Sequence, residues 1–542
     1  MGNENWGLRG RARLRWALVG AGVLVSVAVG CTRPEDGGRP TAGPGVNGGD
    51  GGGGGGLRMH GIPGDCDGSV EAPEPRFVVD ACGRVLVLRG TNVEETAKGR
   101  SQDDPHLPAS SIESHDDLGK LGWNAVRFLI FWGAVEPEQG EYDERYLDDV
   151  EVWLDAYAER GVHVVLDMHQ DTYGWAAGGN GAPDWAVFTD GLEVQPPPPG
   201  LPWYLAAVDP AVQAAFQNFW DTSRGHADLR EHFLATWEHV AARFADHPAV
   251  VGYDILNSPV FANGDLDATL AIQAEAAAGT YRNTNLTEFS QQAIDAIRSA
   301  DDDAWIMVEP TSIVNTFPYP GDLIEDELTD PRDGPPRLAY APHLFEQRDG
   351  AGSYVPNSPY LGLWEQYRTD EASVMDAALF IGELGGAADN GRMDEYLDSV
   401  LAMADRNMLG WAQWSWDPDP PGAPAGSWSP ITSTGELTAN GERLARVQPR
   451  AVAGVPLGFT WDPATNVFRM AWEDRDDVDA PTELGVPLGA WDGEVEVVLD
   501  GEAVDAGDVE IDGERGVLTL PTPSGGSDHV VCVRWGADAG PC

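Results

Sequence analysis

Residues 125–169 read AVRFLIFWGAVEPEQGEYDERYLDDVEVWLDAYAERGVHVVLDMH and hold one complete strand–helix–strand unit. Residues 125–131 are apolar except for Arg127, the pattern of a strand covered on both faces. A Pro-Glu-Gln-Gly turn at 137–140 breaks the run. From Tyr146 to Arg160 apolar residues recur at three- and four-residue spacing, which predicts an amphipathic helix. Residues 163–169 return to a β pattern, with Asp167 and His169 two apart and so on one face.

The same alternation repeats outward from this unit. β-rich runs fall at 85–92, 125–131, 163–169, 250–257, 305–309, 338–343, 379–383 and 411–416. Helical patterns lie between them, among them 229–244, 288–299 and 393–406. Eight such repeats predict an α/β fold, a (β/α)8 TIM barrel, over 76–448. The alternative, a doubly wound open sheet, lacks its Gly-rich phosphate fingerprint after the first strand.

A barrel places its chemistry at the C-terminal ends of its strands. Those ends carry Asn92, Arg127, Asp167 with His169, Asn257, Glu309, His343, Glu383 and Trp414. Arg127 or Glu309 alone reads as a satisfied core group, but polar residues at every strand end do not read as structure. Polar groups in a mouth beside many of the 20 Trp predict a neutral, hydroxyl-rich ligand that stacks on aromatics, such as a sugar.

Residues 121–143 (LGWNAVRFLIFWGAVEPEQGEYD) resemble the second-strand signature of glycoside hydrolase family 5, a family of retaining β-glycosidases. Asp167-Met168-His169, the His343 segment YAPHLF, Ile381-Gly382-Glu383-Leu384-Gly385 and Trp414 resemble it too. Within that family the similarity is to endoglycoceramidases, which cleave between the glycan and ceramide of glycolipids. It rests on 167–173 (DMHQDTY), 179–192 (GNGAPDWAVFTDGL), 218–257 and 449–454 (PRAVAG). The resemblance implies a double displacement by two carboxyl groups about 5–5.5 Å apart. It assigns the nucleophile to Glu383 and sugar contacts to Arg127, Asp167, His169, Asn257, His343 and Trp414.

Two positions depart from the family pattern. Where an Asn-Glu-Pro triplet should carry the acid/base, this chain has Asn257-Ser258-Pro259. A Ser hydroxyl does not protonate a leaving group unaided, and general acid–base catalysis is worth about 10²–10⁴ in rate. Where the family has His-x-Tyr, this chain has His343-Leu344-Phe345, so a donor to the nucleophile is missing and Glu383 is weakened. Three readings remain open: a degenerate hydrolase that binds glycans; rescue by another carboxylate (Glu309, Glu346, Glu94 or Glu95); or restriction to good leaving groups or to glycan transfer. A family 5 β-glucanase acting on polysaccharide is a further alternative.

The ends of the chain point to export. Arg9, Arg11, Arg13 and Arg15 precede an apolar run at 16–30 that is too short for a comfortable membrane span and fits a signal sequence. Ala28-Val29-Gly30-Cys31 resembles a bacterial lipobox, which implies lipidation of Cys31 and a membrane-anchored lipoprotein. The alternative is an ordinary secretion signal. Residues 31–75 read as a Gly/Pro-rich tether with six glycines at 51–56. Export permits disulfides, and Cys66 with Cys82 and Cys532 with Cys542 is the simplest of three pairings. Their spacing matches no zinc site, and no cofactor, Ca²⁺ or nucleotide motif stands out, so no metal or cofactor is expected.

A net charge of −54 excludes nucleic acid and anionic lipid headgroups as partners, since both need clustered Lys and Arg. The only Lys residues are Lys98 and Lys120. The insertion at 170–228 carries Trp175, Trp185, Phe188 and Trp203, which fit either a wall for a lipid tail or packing on the barrel rim. Residues 449–542 change to short alternating runs between Gly, Asp and Pro turns, the pattern of a small antiparallel β-sandwich.

Overall fold

A computed structural model describes residues 59–60, 62, 66, 68–195, 203–260, 266–345, 354–417, 428–487, 495–505, 507–521, 528–536 and 539–542. The expected signal, Cys31, the six-glycine run and Glu346 lie outside them. Eight parallel strands close into a barrel. They are β1 (Arg89–Val93), β2 (Ala125–Ile130), β3 (His163–Met168), β4 (Val250–Asp254), β5 (Trp305–Val308), β6 (Leu338–Tyr340), β7 (Ala378–Leu384) and β8 (Gly410–Gln413). Trp411 of β8 pairs with Arg89 of β1 to close the ring.

The helix Glu144–Arg160 shows why the sequence folds this way locally. The Asp143 side chain accepts from the backbone N–H groups of Arg145 and Tyr146 and caps the N-terminus. Gly161 ends the helix in the left-handed conformation, where glycine avoids a Cβ clash. Its buried face is Tyr146, Leu147, Val150, Trp153, Leu154, Tyr157 and Ala158, the three- and four-residue spacing of the sequence. Each fully buried large side chain on that face is worth about 1.5–3 kcal/mol.

Two antiparallel sheets follow the barrel. A five-stranded sheet is built from Gly454–Asp462, Val467–Asp474, Val495–Leu499, Glu502–Ala503 and Asp528–Trp535. The second sheet, six-stranded, is not purely C-terminal. The hairpin Val78–Val79 and Val85–Leu86 joins it by pairing with Gln448–Val452. The apolar run at 85–92 is therefore divided: its first residues belong to the sandwich and its last to β1. Arg450 fastens the two units, donating to the carbonyls of Trp123 and Gly161 at 2.7 and 3.0 Å. Interior barrel residues Val165, Met307, Ala339 and Phe380 share one apolar cluster with Val452, Phe459, Phe468 and Trp472. Cys66–Cys82 and Cys532–Cys542 are disulfide-bonded.

The tryptophans do not sort as the composition implied. Trp123, Trp237, Trp305, Trp364, Trp411, Trp416 and Trp472 are fully buried and serve as core, because their size fills space between barrel and helices. Trp175, Trp185 and Phe188 are half-buried and pack against the main core. Phe188 stacks on His226, and the indole N–H groups of Trp175 and Trp185 donate to backbone carbonyls of Lys98 and Glu136. Rim packing is what these three do. The side chain of Trp203 lies outside the described residues.

Candidate active site

Arg127 organises the barrel mouth. It is wholly buried in β2, and its guanidinium spends every edge on a partner. Nε donates to Asp254 at 3.0 Å, and Nη1 to Asn92 at 3.0 Å and Glu383 at 3.3 Å. Nη2 donates to Asn257 at 3.0 Å and Glu309 at 2.9 Å, and lies 2.9 Å from Asp167. One cation thus faces four carboxyl groups. Opposite charge raises the Arg127 pKa against the cost of burial, so it stays protonated.

One positive charge cannot balance four negative ones, and the cluster keeps protons instead. Burial, helped by Glu309 and Asp167, outweighs Arg127 and holds the Asp254 carboxyl well above the carboxylate range. Burial pushes Glu309 up to about 7, with Arg127 pulling the other way and Asp167 adding to the rise.

His169, Asp167, Lys98, Asp171 and Trp414 form a second group of contacting residues at the mouth. His169 Nδ1 donates to Asp167 at 2.7 Å, which fixes the tautomer. Burial disfavours charge on this ring, but Asp167 outweighs it and the His169 pKa is raised. The ring stacks on Trp414 at 5.5 Å between centroids. Lys98 Nζ lies 4.2 Å from the Trp414 ring centroid and 2.8 Å from Asp171.

Glu383 comes forward on β7, its side chain slightly open to solvent, with His343 Nδ1 3.4 Å from its Oε2. Gly382 is needed beside it, because a Cβ there would stand 2.9 Å from Ala341 O and 3.0 Å from His343 Cδ2. Phe345 offers Glu383 no donor; its ring lies 6.4 Å from His343 and 6.3 Å from Trp428.

Ser258 faces Glu383 across the same imidazole nitrogen, its Oγ 3.3 Å from His343 Nδ1. Its φ of 40° lies in the left-handed region, uncommon for a non-glycine and costing on the order of 1–3 kcal/mol. Neighbours hold it there. Its N–H donates to Glu309 at 2.9 Å, and Gln170 Nε2 donates to the carbonyls of Asn257 and Ser258 at 2.8 and 3.0 Å.

The strand-end residues read from the sequence, Asn92, Arg127, Asp167, His169, Asn257, Glu309, His343, Glu383 and Trp414, form one connected cluster with Ser258. Of the four carboxylates weighed as substitutes, Glu309 is in that cluster. Glu94 instead accepts from the backbone N–H groups of Ala109 and Ser110, and Glu95 is exposed. Asp254, Lys98, Asp171 and Asn315 join the cluster from outside that set of strand-end residues. Asp254 ends an apolar strand and Lys98 is one of two lysines, and both signals were present in the sequence.

Residues 91–420 match the model of cellulase (glycosyl hydrolase family 5), and residues 446–533 match the glycoside hydrolase family 5 C-terminal domain. The chain belongs to glycoside hydrolase family 5. Among family relatives it is 29% identical over 439 residues to endoglycoceramidase I of Rhodococcus hoagii, covering 76% of this chain and 78% of that protein. It is 25% identical over 435 residues to an endoglycoceramidase of Hydra vulgaris, covering 74% and 77%. It is similar to the structure of endo-glycoceramidase II from Rhodococcus sp. in complex with ganglioside GM3, at 33% identity and a TM-score of 0.72, covering 85% of this chain and 99% of that one. The chain therefore carries both the family's barrel and its C-terminal domain.

Proposed function

We propose that this protein cleaves the β-glycosidic bond between glycan and ceramide in glycosphingolipids, with retention of configuration and with Glu383 as nucleophile. The observation that carries the reading is Glu383 itself. It is a carboxylate at the open end of a buried polar cluster, held by Arg127 and His343. Arg127 and His343 steady its charge, and Trp414 with His169 offers a stacking face for a sugar ring. Likeness to endoglycoceramidases over 76% and 85% of this chain supports ceramide rather than a second sugar as the leaving side. A lipid-modified Cys31 would hold the barrel near the membrane where such substrates lie, on a tether whose Gly-rich part, residues 32–56, spans on the order of 25–30 Å.

The test is release of free oligosaccharide and ceramide from purified lactosylceramide in detergent, followed by mass spectrometry, beside a soluble β-glucan. Release from the glycolipid alone supports the reading, and release from glucan alone replaces it with a polysaccharide hydrolase.

Ser258 favours a second reading, because it puts a hydroxyl where the family has a carboxyl group. In that reading the mouth binds glycans without turnover. Saturable heat of binding for lactose, with no product from lactosylceramide, would establish it.

A further inference from the structure

The groups behind Ser258 form a continuous chain. Glu309 Oε1 accepts from Arg127 Nη2 at 2.9 Å and meets His343 Nε2 at 3.0 Å. Its Oε2 accepts from Ser258 N at 2.9 Å and Asn315 Nδ2 at 3.2 Å. On the other side of the ring, His343 Nδ1 meets Ser258 Oγ at 3.3 Å. Carboxyl, imidazole and hydroxyl thus stand in series, ending at the residue that replaces the missing acid/base.

Asn315 fixes the polarity of this chain. Its Oδ1 accepts from the His343 backbone N–H at 2.9 Å, so its Nδ2 is the atom facing Glu309 and Ser258 Oγ. Ser258 Oγ therefore accepts from Asn315, and its own hydrogen is free to point at His343 or into the mouth. Burial pushes the His343 pKa down to about 4, against the pull of Glu383, so the ring is neutral and carries a single N–H. Both ring nitrogens have partners able to give or take that proton. Glu309 is buried among Arg127, Asp167, Asp254 and His343, and its carboxyl titrates near neutrality, at about 7.

We propose that Glu309, His343 and Ser258 form a proton relay that takes the place of the absent acid/base carboxylate, with Glu309 as its proton reservoir. The relay rests on the hydrolase reading above. In the first step Glu383 attacks the anomeric carbon and the bond to the ceramide oxygen breaks. Ser258 Oγ–H protonates that oxygen, Oγ takes the proton from His343 Nδ1, and Nε2 takes the proton of the Glu309 carboxyl. Ceramide leaves as the alcohol, and Glu309 is left ionised. In the second step water attacks the glycosyl–Glu383 ester and loses its proton to Ser258 Oγ. Oγ passes its own to Nδ1, and Nε2 returns one to Glu309. The free sugar, Glu383 carboxylate and protonated Glu309 result, with one water consumed.

The experiment compares wild type, Glu309→Gln, Ser258→Ala and the double variant on lactosylceramide and on an aryl β-lactoside with a strongly acidic leaving group. Folding of each is checked by thermal melting. The relay predicts a loss of about 10²–10⁴ on lactosylceramide for either single variant, and no further loss in the double. On the aryl glycoside the variants should accumulate glycosyl-enzyme, seen by intact mass, and azide should restore turnover as β-glycosyl azide. A structural defect gives neither signature. Full activity of Glu309→Gln on lactosylceramide, or multiplying losses in the double variant, would overturn the relay. Wild type that turns over only the aryl glycoside also overturns it, while leaving Glu383 as nucleophile. Wild type inactive on both substrates overturns the hydrolase reading and the relay with it.

Discussion

Arg127 Nε donates to Asp254 Oδ2 at 3.0 Å, and neither side chain has exposed surface. The two are not equal partners in stability. Among the described residues, Arg127 is the one cation that touches all four of Asp167, Asp254, Glu309 and Glu383, and removing it strands several buried carboxyl groups. Asp254 is held well above the carboxylate range by burial and by Glu309 and Asp167. Arg127→Met should therefore cost about 3–5 kcal/mol. Asp254→Asn, which keeps an acceptor for Nε, should cost under about 1 kcal/mol. Urea unfolding monitored by tryptophan fluorescence checks this; similar losses for the two variants would contradict it.

The same burial sets a pH dependence. Glu309 is pushed up to about 7 by burial and Asp167, and Asp417 up to about 8 by burial, Glu94 and Glu95. A carboxyl whose folded value exceeds its unfolded value binds more protons when folded, so stability falls as pH rises toward the folded value. The buried rings His115 and His163, pushed down to about 3 by burial, act oppositely, but only below their unfolded value of 6.5. From pH 6.5 to about 8 the carboxyls act without them, and the melting temperature should drop. Each group contributes up to about 1.4 kcal/mol per pH unit. Glu309→Gln should flatten the curve near pH 7 and Asp417→Asn near pH 8. A melting temperature that is level across this window would refute the assignment.

Gly382 and His343 are in contact across neighbouring strands. An alanine Cβ at 382 would press on Ala341 O at 2.9 Å and on His343 Cδ2 at 3.0 Å. The carbonyl is fixed by the barrel, so the imidazole must move, and its contacts with Glu309, Ser258 and Glu383 change with it. Gly382→Ala should cost about 1–3 kcal/mol in overpacking. It should lower kcat on glycolipid by tenfold or more with a smaller change in KM, since Trp414 and His169 keep their positions. Unaltered kcat would mean that the ring position has no bearing on turnover.

What the sequence revealed follows from where periodicity acts. Arg127 was legible as a charge inside an apolar strand, and the remaining strand-end residues by their place after such runs. The start of β1 was not legible. Val85–Leu86 is as apolar as β1 itself, and only pairing with Gln448–Val452, distant in sequence, assigns it to the sandwich. Asp254 does not stand out in the sequence because the β-rich run continues to Asn257, beyond the point where the barrel strand stops. Lys98, Asp171 and Asn315 sit on connections, where no repeat marks an inward residue. The tryptophan count could not separate core from ligand contact, because one large ring serves both.

Ser258 is the position at which these relationships can be read out directly. Its N–H is held by Glu309, and its Oγ lies against His343 Nδ1 on the side facing Glu383. A glutamate at 258 would bring a carboxyl group straight to the leaving oxygen and make the two inner transfers unnecessary. Ser258→Glu should raise turnover of lactosylceramide by about 10- to 10²-fold. That is less than the full 10²–10⁴ of general acid catalysis, because the hydroxyl already passes on part of it. The same variant should make turnover insensitive to Glu309→Gln, since the proton no longer comes from position 309. Initial rates of ceramide release across the four combinations of these two substitutions check both statements. A loss of rate in Ser258→Glu would show that residue 258 does not face the scissile bond.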